Sequence, residues 1–396
     1  MLEGLKNLLR APERKASRTA RLIALESGGR ARWTPRDYAA LTREGFTTNA
    51  IVYRAVRIVA ESVGSLDFVL YDGANELTAH PLIDLIKRPN PRQDGAALME
   101  ALSAHLLLAG NAYVEAVALA EEGGVAPRVR ELYALRPDRM KVVPGPDGWP
   151  QAYEYTVAGQ TARFDQSAPQ PPVLHLTLFN PLDDHYGLSP LEAAAVAVDA
   201  HNAAATWNKS LLDNAARPSG ALIYDSDGGA VLSAAQFERL KTELDKQYQG
   251  TANAGRPLVL EGGLDWKPMS FAPKDMDFME AKHAAAREIA LAFGVPPMLL
   301  AIPGDNTYSN FQEANRVFWR TGVLPLANRI AAALTQWLAP SFGEGLRLAP
   351  DTDRIEALSA DRAALWDRVT KAPFLTVNEK RAATGYGAVP GGDVIG

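Results

Sequence analysis

Cysteine is absent from the 396-residue chain. That excludes disulfides, thiolate metal sites and cysteine nucleophiles, and it fits a reducing compartment. The dipeptide Gly-Lys is also absent, so no G-x-x-x-x-G-K-[ST] loop exists to cradle the phosphates of a nucleotide-driven motor. Neither H-E-x-x-H nor G-x-S-x-G occurs, which removes two hydrolase signatures. No segment approaches the ~18 uninterrupted apolar residues that a bilayer span requires, so no membrane partner is expected.

What is present is an ordinary hydrophobic share of 47%, enough to bury a core across two or more structural units. The charge is uneven. Residues 1–36 hold nine Lys/Arg against three acidic residues, a balance of +6, while the whole chain sums to -5. A basic arm therefore precedes an acidic body. The arm opens on MLEGLKNLLR, whose leucines fall on one helical face, and continues through Arg10, Arg14, Lys15, Arg18 and Arg21. It is expected to be disordered alone and to act as a tether.

Periodicity separates the rest. Helices are predicted over 47–64, around 81–87, and over 94–108 with Gly110 closing the last. From 112 to 179 the period becomes two, predicting one small, mainly antiparallel sheet from strands at 112–118, 130–135, 140–143, 152–157 and 173–179. Ser189-Pro190-Leu191-Glu192 starts a helix over 189–216 with cap, first-turn proline and capping-box glutamate. Eight of the thirteen residues from Ala193 to Ala205 are alanine, and Ala197 and Ala204 are expected to pack against a neighbouring subunit. An insert at 219–271 reads as strand 219–224, helix 233–249 and strands 257–261 and 264–271. A helix from about Asp275 presents Phe278, Ala281, Ala285, Ile289 and Ala292 as one stripe. Gly294-Val295-Pro296-Pro297 ends it and opens a loop to about Asn310. A long helix follows, capped by Ser309 or Asn310 and kinked at Pro325. One or two helices at 351–385 precede a glycine-rich tail.

Chemistry-bearing residues are sparse. His175 at a strand end, with Asp183, Asp184 and His185 in the next loop, could hold a divalent metal for hydrolysis. The same residue types are common in solvated loops, and no catalytic residue, metal ligand or cofactor is assigned. The acid pairs Asp275/Asp277 and Asp351/Asp353 are expected at helix N-termini, where the dipole favours them. A second alternative is a DNA-binding protein that uses the basic arm.

Four stretches, in order, carry a family resemblance: His80-Pro81-Leu82 through Arg88-Pro89-Asn90-Pro91; Gly110-Asn111-Ala112-Tyr113-Val114; Phe293-Gly294-Val295-Pro296-Pro297 on to Tyr308-Ser309-Asn310; and Asn378-Glu379-Lys380-Arg381 before Pro390-Gly391-Gly392-Asp393. From about residue 47 onward the chain resembles the portal proteins of tailed phages of the Hong Kong ninety-seven type. The resemblance implies an α+β fold of portal architecture: long stem helices and a small antiparallel β-rich wing, assembled as a twelvefold ring. It assigns the arm to 1–36, the wing to 37–188 with the long helix 311–350, and the stem helices to 189–216 and 275–293. The clip is 219–271, the tunnel loop 294–310 and the crown with its tail 352–396. Val295, Pro296 and Pro297 would direct the loop, and Pro303, Gly304, Asp305, Asn306 and Thr307 would form its tip in the DNA channel. The implied protein is no enzyme and takes no cofactor. It sits at a capsid vertex of a virion or phage-like particle assembled in the bacterial cytoplasm. Its implied partners are double-stranded DNA, the terminase large subunit, a head-tail adaptor and the major capsid protein. The alanine- and arginine-rich composition suits a prophage or a gene transfer agent.

Overall fold

The computed structural model describes residues 33–119, 128–213, 220–224, 264–268, 278–304 and 307–394, with isolated positions between 233 and 242. The arm residues Arg10, Arg14, Lys15, Arg18 and Arg21 lie outside the described residues. So do Asp305, Asn306, most of the expected helix 233–249 and the expected strand 257–261.

A short helix α1 (Tyr38–Thr42) runs into a π-helical turn at Arg43–Thr47. Helix α2 (Ala50–Gly64) starts where the Asn49 side chain accepts from the backbone N–H groups of Ile51 and Val52, an N-cap that satisfies otherwise orphaned donors. It buries Val52, Ala55, Val56, Val59 and Val63, the stripe expected of a helix facing a core. After strands β1 (Phe68–Asp72) and β2 (Asn75–Leu77) comes α3 (Pro81–Lys87), then α4 (Gly95–Ala109). Asp94 caps α4 by accepting from Ala97 N–H. Leu98, Leu102 and Leu106 of α4 have no exposed surface, and Leu107 and Leu108 on its other side are also buried. The helix is apolar nearly all round because it is covered by α2 and by the following strand.

That strand is β3 (Asn111–Leu119), followed by β4 (Arg128–Leu135), β5 (Met140–Pro144), β6 (Pro150–Val157), β7 (Gln160–Asp165) and β8 (Val173–Thr177). The single sheet expected from the sequence is instead two antiparallel three-stranded sheets, ordered β4-β3-β8 and β5-β6-β7. The expectation also lacked β2 and β7. Both are short on apolar residues, with most positions exposed, so no apolar alternation marks them.

The helix expected over 189–216 is broken. Ser189 accepts from Glu192 N–H and starts α5 (Pro190–Ala193), Ala194 leaves helical geometry, and α6 (Ala195–Asp213) follows. Strands β9 (Gly220–Tyr224) and β10 (Leu264–Pro268) pair antiparallel, and α7 (Phe278–Ala292) lies against α6. On α7, Ala285 and Ile289 are buried as expected, whereas Ala281 is exposed.

The expected long helix begins at α8 (Tyr308–Val317), and its cap is Thr307, whose side chain accepts from Asn310 N–H, not Ser309 or Asn310. Pro325 does not fall inside a continuous α-helical run. A π-helical segment, Phe318–Val323, shifts the ladder so that Leu324 N–H bonds Trp319 O, and Pro325 falls in the first turn of α9 (Leu324–Phe342). Proline needs no donor there. The proline inside the helix is Pro340, near its end.

Strand β11 (Leu346–Pro350) then pairs antiparallel with β1, completing a sheet ordered β11-β1-β2. Helices α10 (Ser359–Thr370) and α11 (Val377–Thr384) follow, the latter with a full Thr376/Glu379 capping box. Asp351 and Asp353 cap no helix. Asp351 accepts from Asp353 N–H, and Asp353 pairs with Arg362 and the Tyr386 hydroxyl.

Two glycines meet where α4 enters β3. Gly110 is left-handed, at φ 69°, and its carbonyl accepts from Leu178 N–H at 2.8 Å. A Cβ on Gly110 would stand 2.4 Å from Gly187 O, and one on Gly187 would stand 2.1 Å from Gly110 O. Gly110→Ala should therefore cost about 2–4 kcal/mol, from backbone strain and overpacking together, read as a lower urea midpoint at unchanged slope.

Two histidines are held neutral in this region. The His105 Nδ1 is buried without a hydrogen-bond partner, and burial pushes the ring down to about 4. Burial, and then His185, push His175 down to about 4. The unfolded chain takes up these protons near the ordinary value of 6.5, so stability is full above that pH and is lost as pH falls toward 4. The melting temperature should drop across pH 6.5 to 4, and His105→Leu should flatten the drop.

Candidate functional site

The residues with the clearest built geometry are α6, α7 and the connection after α7. The inner face of α6 is small: Ala195, Ala197, Val198 and Ala204 are buried, against α7, which buries Ala285, Ala286, Ile289 and Ala290. Ala197 and Ala204, expected to meet a neighbouring subunit, are thus only 5% and 7% exposed within the chain itself. The face left open on α6 carries Val196, Ala200, Ala203 and Trp207, spaced i, i+4, i+7 and i+11. Val196 is 56% and Trp207 44% exposed. The expected face was one residue out of register.

Polar contacts fix α6 to the rest of the fold. The Asn49 amide donates to Asn202 Oδ1 at 2.9 Å and contacts His201 Nδ1 at 3.1 Å, while the Asn202 amide donates to Glu44 O at 2.8 Å. Thr34 donates to Asp199 through its backbone N–H and its hydroxyl. Burial, then Lys282 and His283 of α7, hold His201 below its ordinary value.

The end of α7 is a Schellman motif. Val295 N–H reaches Ala290 O at 2.9 Å, Gly294 N–H reaches Leu291 O at 3.0 Å, and Gly294 is left-handed at φ 65°. Glycine supplies that backbone without strain, and a buried apolar residue after it closes the motif; Val295 is 2% exposed. Val295, Pro296 and Pro297, expected to direct the chain away from the stem helix, lead into a turn that packs on the core. Pro297–Leu300 forms a 3-10 turn, Ala301 is left-handed, and Ile302 returns to the core with its N–H on Pro297 O. In the π segment, Gly322 stands against this root: a Cβ there would lie 3.4 Å from Gly294 O.

Beyond Ile302 the chain is exposed at Pro303, Gly304 and Thr307, as it is at Ala301 just before. The Arg287 guanidinium, from α7, donates to Pro303 O. A cation thus stands at a tip whose own sequence offers only Asp305. No local pattern marks Arg287, because its contact lies sixteen residues away.

The candidate metal constellation does not assemble. The two ring nitrogens of His175 contact Asn111 Oδ1 at 3.0 Å and the Tyr153 hydroxyl at 3.3 Å, and its ring stacks on Tyr113 at 4.2 Å. Asp183 is spent on its own turn, accepting from His185 and Tyr186 N–H. Among the described residues no group of three or more His, Asp or Glu is placed to hold a metal ion, and no helix is long and apolar enough to cross a membrane.

A sequence profile described as phage portal protein matches residues 50–385. An uncharacterized protein of Rickettsia bellii is 44% identical over 356 residues, 89% of this chain and 90% of that one. The portal protein of Enterobacteria phage HK97 is 27% identical over 323 residues, 80% of this chain and 72% of that one. In a solved neck of a native gene transfer agent particle, computed with C12 symmetry, a chain is 51% identical and superposes with a TM-score of 0.68. The match covers 91% of this chain and 97% of that one. With its mixed helices and small antiparallel sheets, this chain belongs to the phage portal protein family.

Proposed function

We propose that the chain forms a twelve-membered ring at one vertex of a phage-like particle and serves as the conduit through which double-stranded DNA enters and leaves. The half-identical chain in a C12-symmetric particle neck carries this reading. The role is structural, not catalytic. During packaging the ring docks the terminase large subunit, and afterwards a head-tail adaptor, with the major capsid protein around it. Within it, 37–188 and the long helix 311–350 serve as wing, 189–216 and 275–293 as stem, 219–271 as clip, 294–310 as tunnel loop and 352–396 as crown. The basic arm, 1–36, serves as a tether.

Acidic residues outnumber basic ones in the proposed stem and clip. Each phosphate neutralised by Lys or Arg adds affinity, so a wall poor in net positive charge lets the duplex slide. Within the ~8–10 Å Debye length it repels DNA weakly and leaves the channel shape to hold it.

The exposed Val196–Trp207 face of α6 packs against the next copy in this reading. Val196→Glu should leave the subunit folded, because the position is open to solvent, and should shift assembled rings toward single subunits in sedimentation velocity. Rings as abundant as the parent's would remove this face from the contact.

The loop tip 303–307, exposed at Pro303, Gly304 and Thr307, narrows the channel as a steric collar steadied by Arg287. Deleting 303–307 should preserve rings while lowering the yield of DNA-filled particles. Asp305→Lys should slow packaging, most at low salt, by adding a phosphate contact beside Arg287. Normal packaging by both variants would show that the tip does not line the channel.

A further inference from the structure

Four arginines meet where the long helix faces α10. Arg316 and Arg320 come from the long helix, Arg362 and Arg368 from α10. The four arginines outnumber their three acidic partners. Arg316 donates to Asp361 at 3.1 Å and to Glu313. Arg362 donates to Asp353 and to Thr384 O. Arg320 reaches only Asp361, at 4.0 Å, which Arg316 already holds. Arg368 has no acidic partner among the described residues. The Nε–H groups of Arg316 and Arg362 are buried with no acceptor in the chain.

Three of these groups share one space. Arg320, Arg362 and Arg368 line a cleft of about 460 Å³ together with Asp361, whose carboxylate pairs with Arg316, with Thr352 at its edge and Leu358 and Leu365 as apolar wall. Asp353 holds Arg362 in place at the cleft wall, while Arg320 and Arg368 are exposed and keep their guanidinium groups available to a ligand. Planar guanidinium forks match the oxygens of a phosphate in pairs, and each such charge-assisted bond is about twice as strong as a neutral one.

We propose that this cleft binds a phosphate group, either free or carried by a nucleic-acid backbone. Arg320 and Arg368 supply the unspent charge, and Arg362 the fixed wall. This rests on the cleft alone and stands whether or not the chain forms a ring.

The test uses the full chain, an Arg320→Gln/Arg368→Gln double variant, and an Arg354→Gln control whose partners, Asp67 and Asp351, lie outside the cleft. Inorganic phosphate is titrated by calorimetry and a 20-base-pair duplex by anisotropy, at several salt concentrations. The two changed positions are exposed, so melting temperatures should match the parent. An Arg320→Lys/Arg368→Lys variant, which keeps charge but not the forks, covers the case of misfolding. Phosphate binding should weaken at least tenfold in the double variant, partly recover with lysine, and stay unchanged in the control. If the phosphate belongs to a nucleic acid, duplex binding weakens in parallel, inorganic phosphate competes, and the salt slope falls by roughly 0.9 for one lost contact. If it is free, duplex binding is unmoved. The proposal is overturned if the parent binds neither probe, or if the double variant binds both as the parent does.

Discussion

Backbone hydrogen bonds between β1 and β11, from Phe68 opposite Pro350 to Asp72 opposite Leu346, join two ends of the described chain into one sheet. Much else depends on that closure. It brings α9 under the same core as α2 and α4, so that Ile330, Leu334 and Leu338 are fully buried with Leu98 and Leu102. Further bonds sew the same seam: the Trp337 indole N–H donates to Pro171 O at 2.8 Å, and the Gln170 amide donates to Trp337 O at 2.9 Å. With both flanks fixed, α6 is anchored at Asn49 and α7 at the Schellman close.

A ring subunit must satisfy two kinds of neighbour with one helix. On α6 the division is visible in side-chain size. The face toward α7 carries mainly alanine and valine, letting the two helices approach closely, and the opposite face keeps valine and tryptophan in the open. Obligate assemblies commonly bury about 2,000 Å² or more, and an exposed apolar helical stripe is the kind of surface such burial draws on.

Much of the fold could be read from the residues because the signals were local. Asp94 and Gly110 bracket α4, Ser189 starts α5, and Gly294 with Val295 ends α7 by a motif written in two letters. What could not be read was tertiary. The break at Ala194 falls in a run of alanines that favours helix throughout. The π segment before Pro325 shifts the ladder so that the proline falls in a first turn, and Gly322 within it stands close to Gly294. Strands β2 and β7 carry too few apolar residues to show a period. At the candidate site, the position of the loop was legible but its cation was not, since Arg287 arrives from the preceding helix. The His175 cluster shows the converse: neighbouring letters suggested a metal site, and hydrogen bonds to Asn111 and Tyr153 use those ring nitrogens for structure.

The central claim is that this chain works as a closed ring. Native mass spectrometry of the purified full-length protein, across a concentration series, tests it most directly. The account predicts a discrete species at twelve times the 42.7 kDa chain mass, persisting on dilution. A single species at the mass of one chain at every concentration, and in lysed particles as well, would contradict it.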